Sequence, residues 1–267
     1  MSSEKIRIEI ERKGQVGVTF TRPDKHNVLD DEVISRLDSL FEELSHRQDV
    51  HVVVFRGEGK SFCAGADIKW MARAGSFSAD ENMEDAGLLA TMLYKLYTLP
   101  QMTIARVQGR AMGGGLGMVA CCDLVVTEEK AEFAFPEVKL GLTPATIAPY
   151  VMSAIGARNA KRYFQTAEKF TAQRAYEMGL AHELLKDEKE MDDFIQEALS
   201  GLTYNGPHAV AASKKLCLDL TGRKISEDVA KDTAARLAII RSGPEAREGL
   251  EAFLNKRKPK FKDPLED

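Results

Sequence analysis

The stretch Gly109-Arg110-Ala111-Met112-Gly113-Gly114-Gly115-Leu116-Gly117-Met118-Val119-Ala120-Cys121-Cys122-Asp123 passes from a turn through three consecutive glycines into an apolar run. Glycine takes φ > 0 and lets backbones approach closely, so the triplet predicts a tight entry into a buried helix. Thr103-Ile104-Ala105-Arg106-Val107 before it and Leu124-Val125-Val126 after it carry the β-branched content of strands, which makes the whole a βαβ unit. Gly115 to Ala120 also matches the G-x-G-x-x-G/A dinucleotide pattern, with Glu137 downstream as the acidic partner. That reading fails: Glu137 follows Pro136 instead of ending an apolar strand, and the alternation stops too soon for a nucleotide fold. The glycines then have two open readings. One is a tight helix entry, and the other is an N-terminus whose free amides stabilise a developing enolate oxygen on a docked thioester.

Outward from this stretch, Ile6 to Ile10 and Gly17 to Phe20 show the period-two pattern of a strand pair. Val33, Leu37, Leu40, Phe41 and Leu44 recur at helical spacing, and Val50 to Phe55 is a strand. Ser61 to Trp70 is too poor in large side chains to read as core, and residues 75 to 82 read as mobile. A helix is expected through Ala86 to Leu96, then short strands at Leu124 to Val126 and Phe133 to Phe135. After Pro144 the pattern is helical, apart from a strand-like Leu180 to Leu185. The expected division is an α/β core over 1–200 and a helical C-terminal region over 201–267 that builds an interface or covers a site.

At 267 residues, 44% hydrophobic and 29% charged, the chain can bury a sizeable core and is not disordered. A formal charge of −4 gives no field for a polyphosphate backbone, so nucleic acid is not an expected partner. No apolar run reaches the ~20 residues of a membrane span, and the first twelve residues hold no signal-like apolar core, so a cytoplasmic chain is expected. Cys63, Cys121, Cys122 and Cys217 include no C-x-x-C pair and read as small buried thiols.

The segments Ser61-Phe62-Cys63-Ala64-Gly65-Ala66-Asp67-Ile68 and Gly109 to Leu116, followed by Cys122-Asp123 and Phe135-Pro136-Glu137, resemble the crotonase (enoyl-CoA hydratase/isomerase) superfamily. The resemblance covers almost the whole chain, to Ser242-Gly243-Pro244-Glu245-Ala246 and Lys256 to Phe261. It implies an α/β fold in which ββα turns spiral through two sheets, with a helical C-terminal region that forms a homotrimer or a dimer of trimers. It also implies an acyl-CoA substrate whose thioester is polarised by two backbone amides, at matching positions those of Ala66 and Gly114. Ala64 and Ile68 would offer backbone groups to the adenine end of coenzyme A, and Lys25, His26 and Asn27 would line its path. Lys258, in the cluster Lys256 to Lys260, would reach the CoA phosphates, with a solvated basic tail as the equal alternative. Coenzyme A is then part of the substrate, and neither a metal nor a separate cofactor is called for.

Hydratases of this superfamily usually carry one glutamate after the glycines and a second about twenty residues on; the matching positions are Gly117 and Glu137. Glu137 is the candidate acid–base, with burial expected to raise its pKa, and a structural carboxylate is the alternative. Asp67 and Asp123 read as helix-end residues, and His182 and His208 as ordinary histidines. Asp67 to Met71, Ala120 to Asp123 and Gly141 to Pro149 resemble the bacterial 3-methylglutaconyl-CoA hydratases, whose branched substrate carries a distal carboxylate. The resemblance thus implies hydration of an α,β-unsaturated acyl-CoA. The alternatives are a Δ3,Δ2-enoyl-CoA isomerase, which keeps one carboxylate, and a non-catalytic acyl-CoA binder. Residues 72 to 98 are the expected acyl pocket.

Overall fold

A computed structural model describes residues 4–12, 14–202 and 204–261, so the last six residues of the expected 201–267 region lie outside it. Strands β1 (Ile6–Arg12) and β2 (Gln15–Phe20) form an antiparallel pair, and α1 (Asp31–Ser45) follows. Asp30 caps α1 by accepting the Val33 amide, and Val33, Ile34, Leu37, Leu40, Phe41 and Leu44 form its buried face.

The chain then repeats one pattern three times. The first turn is β3 (Val52–Gly57), β4 (Ser61–Cys63) and the helices α2 (Ile68–Ala74) and α3 (Ala79–Thr98). The second is β5 (Met102–Val107), β6 (Arg110–Met112) and α4 (Gly113–Cys121). The third is β7 (Leu124–Glu128), β8 (Glu132–Ala134), a short 3-10 turn over Glu137–Leu140, and α5 (Ala148–Thr166). The first strand of each turn joins a six-stranded sheet, and the second joins a four-stranded one. Including β9 (Phe170–Thr171) and β10 (Glu183–Leu185), the orders are β1-β2-β3-β5-β7-β10 and β4-β6-β8-β9. From β2 to β10 the large sheet is parallel, as are β4, β6 and β8 in the small one. Successive ββα turns therefore stack as a spiral, as the family resemblance implies. Covered on both faces, β3 reads as a continuous apolar run from Val52 to Phe55, all buried.

Three expectations change. Ser61-Phe62-Cys63 belongs to the core: as β4 it pairs with β6, all three residues are buried, and Phe62 meets Phe20 edge-on at 5.7 Å. The stretch expected to be mobile contains a capping box, in which Ser78 accepts the Glu81 amide and Glu81 accepts the Ser78 amide, so α3 starts at Ala79. Cys217 is exposed, whereas Cys63 and Cys121 are buried.

Helix α6 (Ala172–Glu177) precedes β10, and beyond β10 lie α7 (Glu188–Leu202), α8 (Pro207–Leu220), α9 (Glu227–Ser242) and α10 (Pro244–Leu254). The expected division at 200/201 falls at the end of α7. Lys214 of α8 ties this region to the core through Asp123 at 2.7 Å and the Gln101 carbonyl at 3.2 Å. Glu245 of α10 accepts the Ala209 amide at 2.8 Å. Otherwise the last three helices bury little: α8 and α9 have no buried residue and α10 has only Ala252. Leu237, Ile239, Leu250, Phe253 and Leu254 stand exposed. No helix among the described residues is long and apolar enough to cross a membrane.

Candidate active site

The spiral makes the site by register. Because β4, β6 and β8 are parallel neighbours, their C-terminal ends lie side by side, and each leads at once into a loop or helix. Past Cys63 comes Ala64-Gly65-Ala66; past Met112 come Gly113 and Gly114; past Ala134 comes Phe135-Pro136-Glu137. The outlet of parallel strands is the ordinary place for a ligand in such sheets.

The contacts here are close. A Cβ placed on Gly65 would stand 3.1 Å from the Met112 carbonyl oxygen and 3.8 Å from Gly113 Cα, so the first two loops touch. Gly113 holds φ at +47°, and a Cβ there would stand 3.1 Å from Glu137 Oε1, which brings the third loop against the second. Only glycine takes this backbone conformation cheaply and leaves that space open.

Both expected amides are directed by backbone geometry. Leu29 forms a parallel bridge with Ala66, donating to Gly65 O at 2.8 Å and accepting from Asp67 N at 2.7 Å. In such a bridge the central residue's own N–H points away from its partner, so the Ala66 amide faces the opposite side. Gly114 lies in the first turn of α4, whose amides have no intrahelical acceptor. Helices α1, α2 and α3 are capped by the side chains of Asp30, Asp67 and Ser78, but the N-cap of α4 is Met112, which makes no such bond. Leu29 Cδ1 and Leu89 Cδ2 lie 3.4 and 4.0 Å from where a Gly114 Cβ would be, an apolar surround for that amide.

Glu137 opens the 3-10 turn directly after Pro136. Its Oε2 is buried without a hydrogen-bond partner among the described residues, and burial pushes its carboxyl above the ordinary glutamate value. In α4 lies the position where a second acid was missing from the sequence. A Cβ on Gly117 would fall 2.2 Å from Ile147 Cγ2 and 2.8 Å from Ile147 Cβ, and Ile147 is itself buried. The space of a side chain at 117 is thus filled by an isoleucine from the other side.

The expected CoA-binding residues are partly brought together. Ala64 N donates to His26 O at 2.9 Å, and His26 Nδ1 lies 3.0 Å from Ser61 Oγ, so His26 and Ala64 are neighbours. Asn27 is buried in structural bonds to the Arg22 amide and the Glu58 and Ser61 carbonyls. Lys25 and Ile68 are exposed on either side of this pair. The Lys258 ammonium lies over the Tyr204 ring, 4.5 Å from the centroid, and bonds to the Tyr204 hydroxyl. Asp67 caps α2 by accepting the Lys69 amide at 2.8 Å, as its helix-end reading implies. Asp123 accepts from the Thr103 amide and hydroxyl and from Lys214. His182 accepts the Val125 amide, and His208 stands exposed beside Glu245. Within 72–98, only Leu89 is seen to approach the glycines, while Trp70 donates to Asp85 at 3.1 Å and pins α2 to α3. No group of three or more metal-binding side chains occurs among the described residues.

The sequence profile described as enoyl-CoA hydratase/isomerase matches residues 11–264. The chain belongs to the enoyl-CoA hydratase/isomerase family. An enoyl-CoA hydratase of Shewanella pealeana is 35% identical and superposes with a TM-score of 0.92, over 97% of each chain. An enoyl-CoA hydratase/isomerase of Marinobacter aquaeolei is 32% identical with a TM-score of 0.90, over 96% of this chain and 98% of the other. The enoyl-CoA hydratase ACTT6 of Alternaria alternata is 31% identical over 91% of this chain and 80% of its own length. Leu29 and Ile147 are the contacts of the candidate site that the sequence reading missed. Leu29 and Ile147 sit among other apolar residues with nothing to mark which glycine or alanine each would meet.

Proposed function

We propose that the protein hydrates an α,β-unsaturated acyl-CoA, with the Ala66 and Gly114 amides as oxyanion donors and Glu137 as acid–base. The observation that carries this reading is Glu137 itself, a desolvated carboxylate with an unpartnered buried oxygen, held against the glycine entry of an uncapped helix. Glu137 takes a proton from water, the resulting hydroxide adds to the β-carbon, and the electron pair moves to the thioester oxygen between the two amides. Glu137 then returns the proton to the α-carbon, so one molecule of water has added across the double bond. Two preorganised donors in a dry site lower the enolate's energy most where its charge appears. Coenzyme A enters as part of the substrate, past His26 and Ala64. The preferred acyl group is of the 3-methylglutaconyl type, whose own carboxylate can stand in for the missing second acid. The working form is a homotrimer or a dimer of trimers.

A second reading has one observation in its favour. Ile147 fills the space of a side chain at 117, so the chain itself offers no second carboxylate there, and a single base suits a 1,3-proton shift, as in a Δ3,Δ2-enoyl-CoA isomerase. The test follows enoyl-thioester absorbance with 3-methylglutaconyl-CoA, crotonyl-CoA and a 3-enoyl-CoA, using Glu137→Gln as control. Loss of 3-methylglutaconyl-CoA absorbance, at least tenfold slower with crotonyl-CoA and abolished in E137Q, is the expected result. Conversion of the 3-enoyl-CoA alone establishes the isomerase, and silence with all three leaves an acyl-CoA binder.

A further inference from the structure

We propose that Arg22 is a positioning residue for the Ala66 amide, acting through a buried ion network that joins the two helix caps on either side of it. This rests on the reading of Ala66 as an oxyanion donor. Arg22 lies just before the turn that carries Lys25 and His26, and its side chain is 9% exposed. One guanidinium nitrogen bonds Asp30 Oδ2 at 2.7 Å, and the other lies 3.4 Å from Asp67 Oδ2. Asp30 caps α1 and Asp67 caps α2, and the residues immediately beside them, Leu29 and Ala66, are the two halves of the parallel bridge. The fork of Arg22 thus fixes the spacing of two strands of backbone from the side opposite the Ala66 N–H. A planar guanidinium presents its donors to two carboxylates in a rigid fork, whereas an ammonium is a compact charge on a flexible stem.

Further bonds lock the network from both ends. The Arg22 amide donates to Asn27 Oδ1 at 2.9 Å, and the Arg22 carbonyl accepts from Lys25 and Asn27, so the guanidinium arises from a rigid turn. Lys5 adds a second bond to Asp30 at 2.8 Å. Against the cost of burial, the Lys69 and Trp70 amides with the Arg22 and Lys25 charges hold Asp67 below the usual carboxylate range, so Asp67 is a carboxylate at neutral pH. Removing the bridge to Asp67 leaves the Ala66 segment held by its backbone bonds to Leu29 and His26 but without the tie between its two helix caps, and the amide loses alignment with the oxygen it must meet. Misplacement on this scale affects the transition state, where charge develops, more than binding.

The test uses Arg22→Lys and Asp67→Asn, with Lys5→Gln as a control that removes a charge from the same network without touching the Arg22–Asp67 contact. Asn at 67 still accepts the Lys69 amide and caps α2. The readouts are steady-state turnover, affinity for free coenzyme A, and the shift to longer wavelength that a cinnamoyl-CoA thioester undergoes when its carbonyl is polarised. Both variants are expected to lose about ten- to hundredfold in kcat, with KM and coenzyme A affinity within about twofold, which marks an interaction made in the transition state. Their red shift falls to less than half, and K5Q behaves as wild type. Kinetics and red shift in D67N within twofold of wild type overturn the proposal, even if R22K does not fold. A wild-type protein that gives no red shift at all overturns the donor assignment beneath it.

Discussion

Gly117 and Ile147 act as one unit. Each is unremarkable alone, a glycine in an apolar helix and an isoleucine before another, yet the Ile147 methyl occupies the exact volume of a side chain at 117. Gly117→Ala is expected to lower stability by about 1–3 kcal/mol through overpacking. Ile147→Gly carries its own cavity cost, and the double variant is expected to lose less than the sum of the two single penalties, because each change relieves the other; urea melts of all four proteins check this. Glu137 yields a pH prediction. Its carboxyl titrates above the ordinary value because it is buried, and only the ionised form can take a proton, so the acid limb of kcat/KM lies above about 4.5, the ordinary glutamate value. The sign for stability follows: a folded-state value above the unfolded one favours the fold below the unfolded pKa, and that gain is lost as pH rises through the folded value. Glu137→Gln is therefore expected to melt higher than wild type at pH 8 and to converge with it at pH 4. Glu137 was legible in the sequence from its place after Phe135-Pro136. Ile147 was not, since a contact between residues thirty apart leaves no mark on either.

At the scale of elements, α4 differs from the helices before it in leaving its first amides uncapped, and its first two residues respond differently to substitution. Gly113 sits at φ +47° with Glu137 Oε1 3.1 Å from a would-be Cβ, so Gly113→Ala costs about 1–2 kcal/mol and displaces the carboxylate. Gly114 has no such conformation, and a Cβ there meets Leu29 at an ordinary 3.4 Å. Gly114→Ala is expected to hold or raise stability by up to about 1 kcal/mol while lowering turnover, and Gly114→Val to abolish turnover in a folded chain; paired melts and rates separate these effects. Long elements declare themselves, α1 by periodicity and β3 and β5 by β-branched content, and β8 was foreseen within a residue at Phe133 to Phe135. The three-residue strands β4 and β6 do not, because so short a run offers at most two alternations and their burial comes from neighbours far along the chain. That is why Phe62 and Cys63 read as loop residues and prove to be core.

For the molecule as a whole, the core and the last three helices are built on different terms. The core buries its apolar residues within itself, whereas α8 to α10 present Leu237, Ile239, Phe253 and Leu254 to the outside. Apolar surface on that scale is covered in stable proteins, and further copies of the same chain are the cover the proposed trimer supplies. Sedimentation is expected to give three or six chains per particle. Leu237→Glu with Phe253→Glu is expected to shift the particle toward the single chain at micromolar concentration, with the core still folded by far-UV dichroism. The sequence announced a helical C-terminal region but not its exposed faces, since α9 has no sharp apolar stripe and its apolar residues matched an ordinary core pattern.

The rung on which Ala66, Gly114 and Glu137 sit has a consequence for how such a chain can change over time. The three come from consecutive coils of the spiral, at the ends of β4, β6 and β8, so their spacing is inherited from hydrogen-bond register, which moves only in whole residues. The proposed reacting centre cannot drift by small degrees; it is kept or lost. The helices between the rungs carry no such constraint, and α2 and α3 can lengthen, shift or exchange side chains while the donors and the carboxylate stay where they are. New acyl preferences are free to accumulate in those crossovers, with the chemistry left untouched.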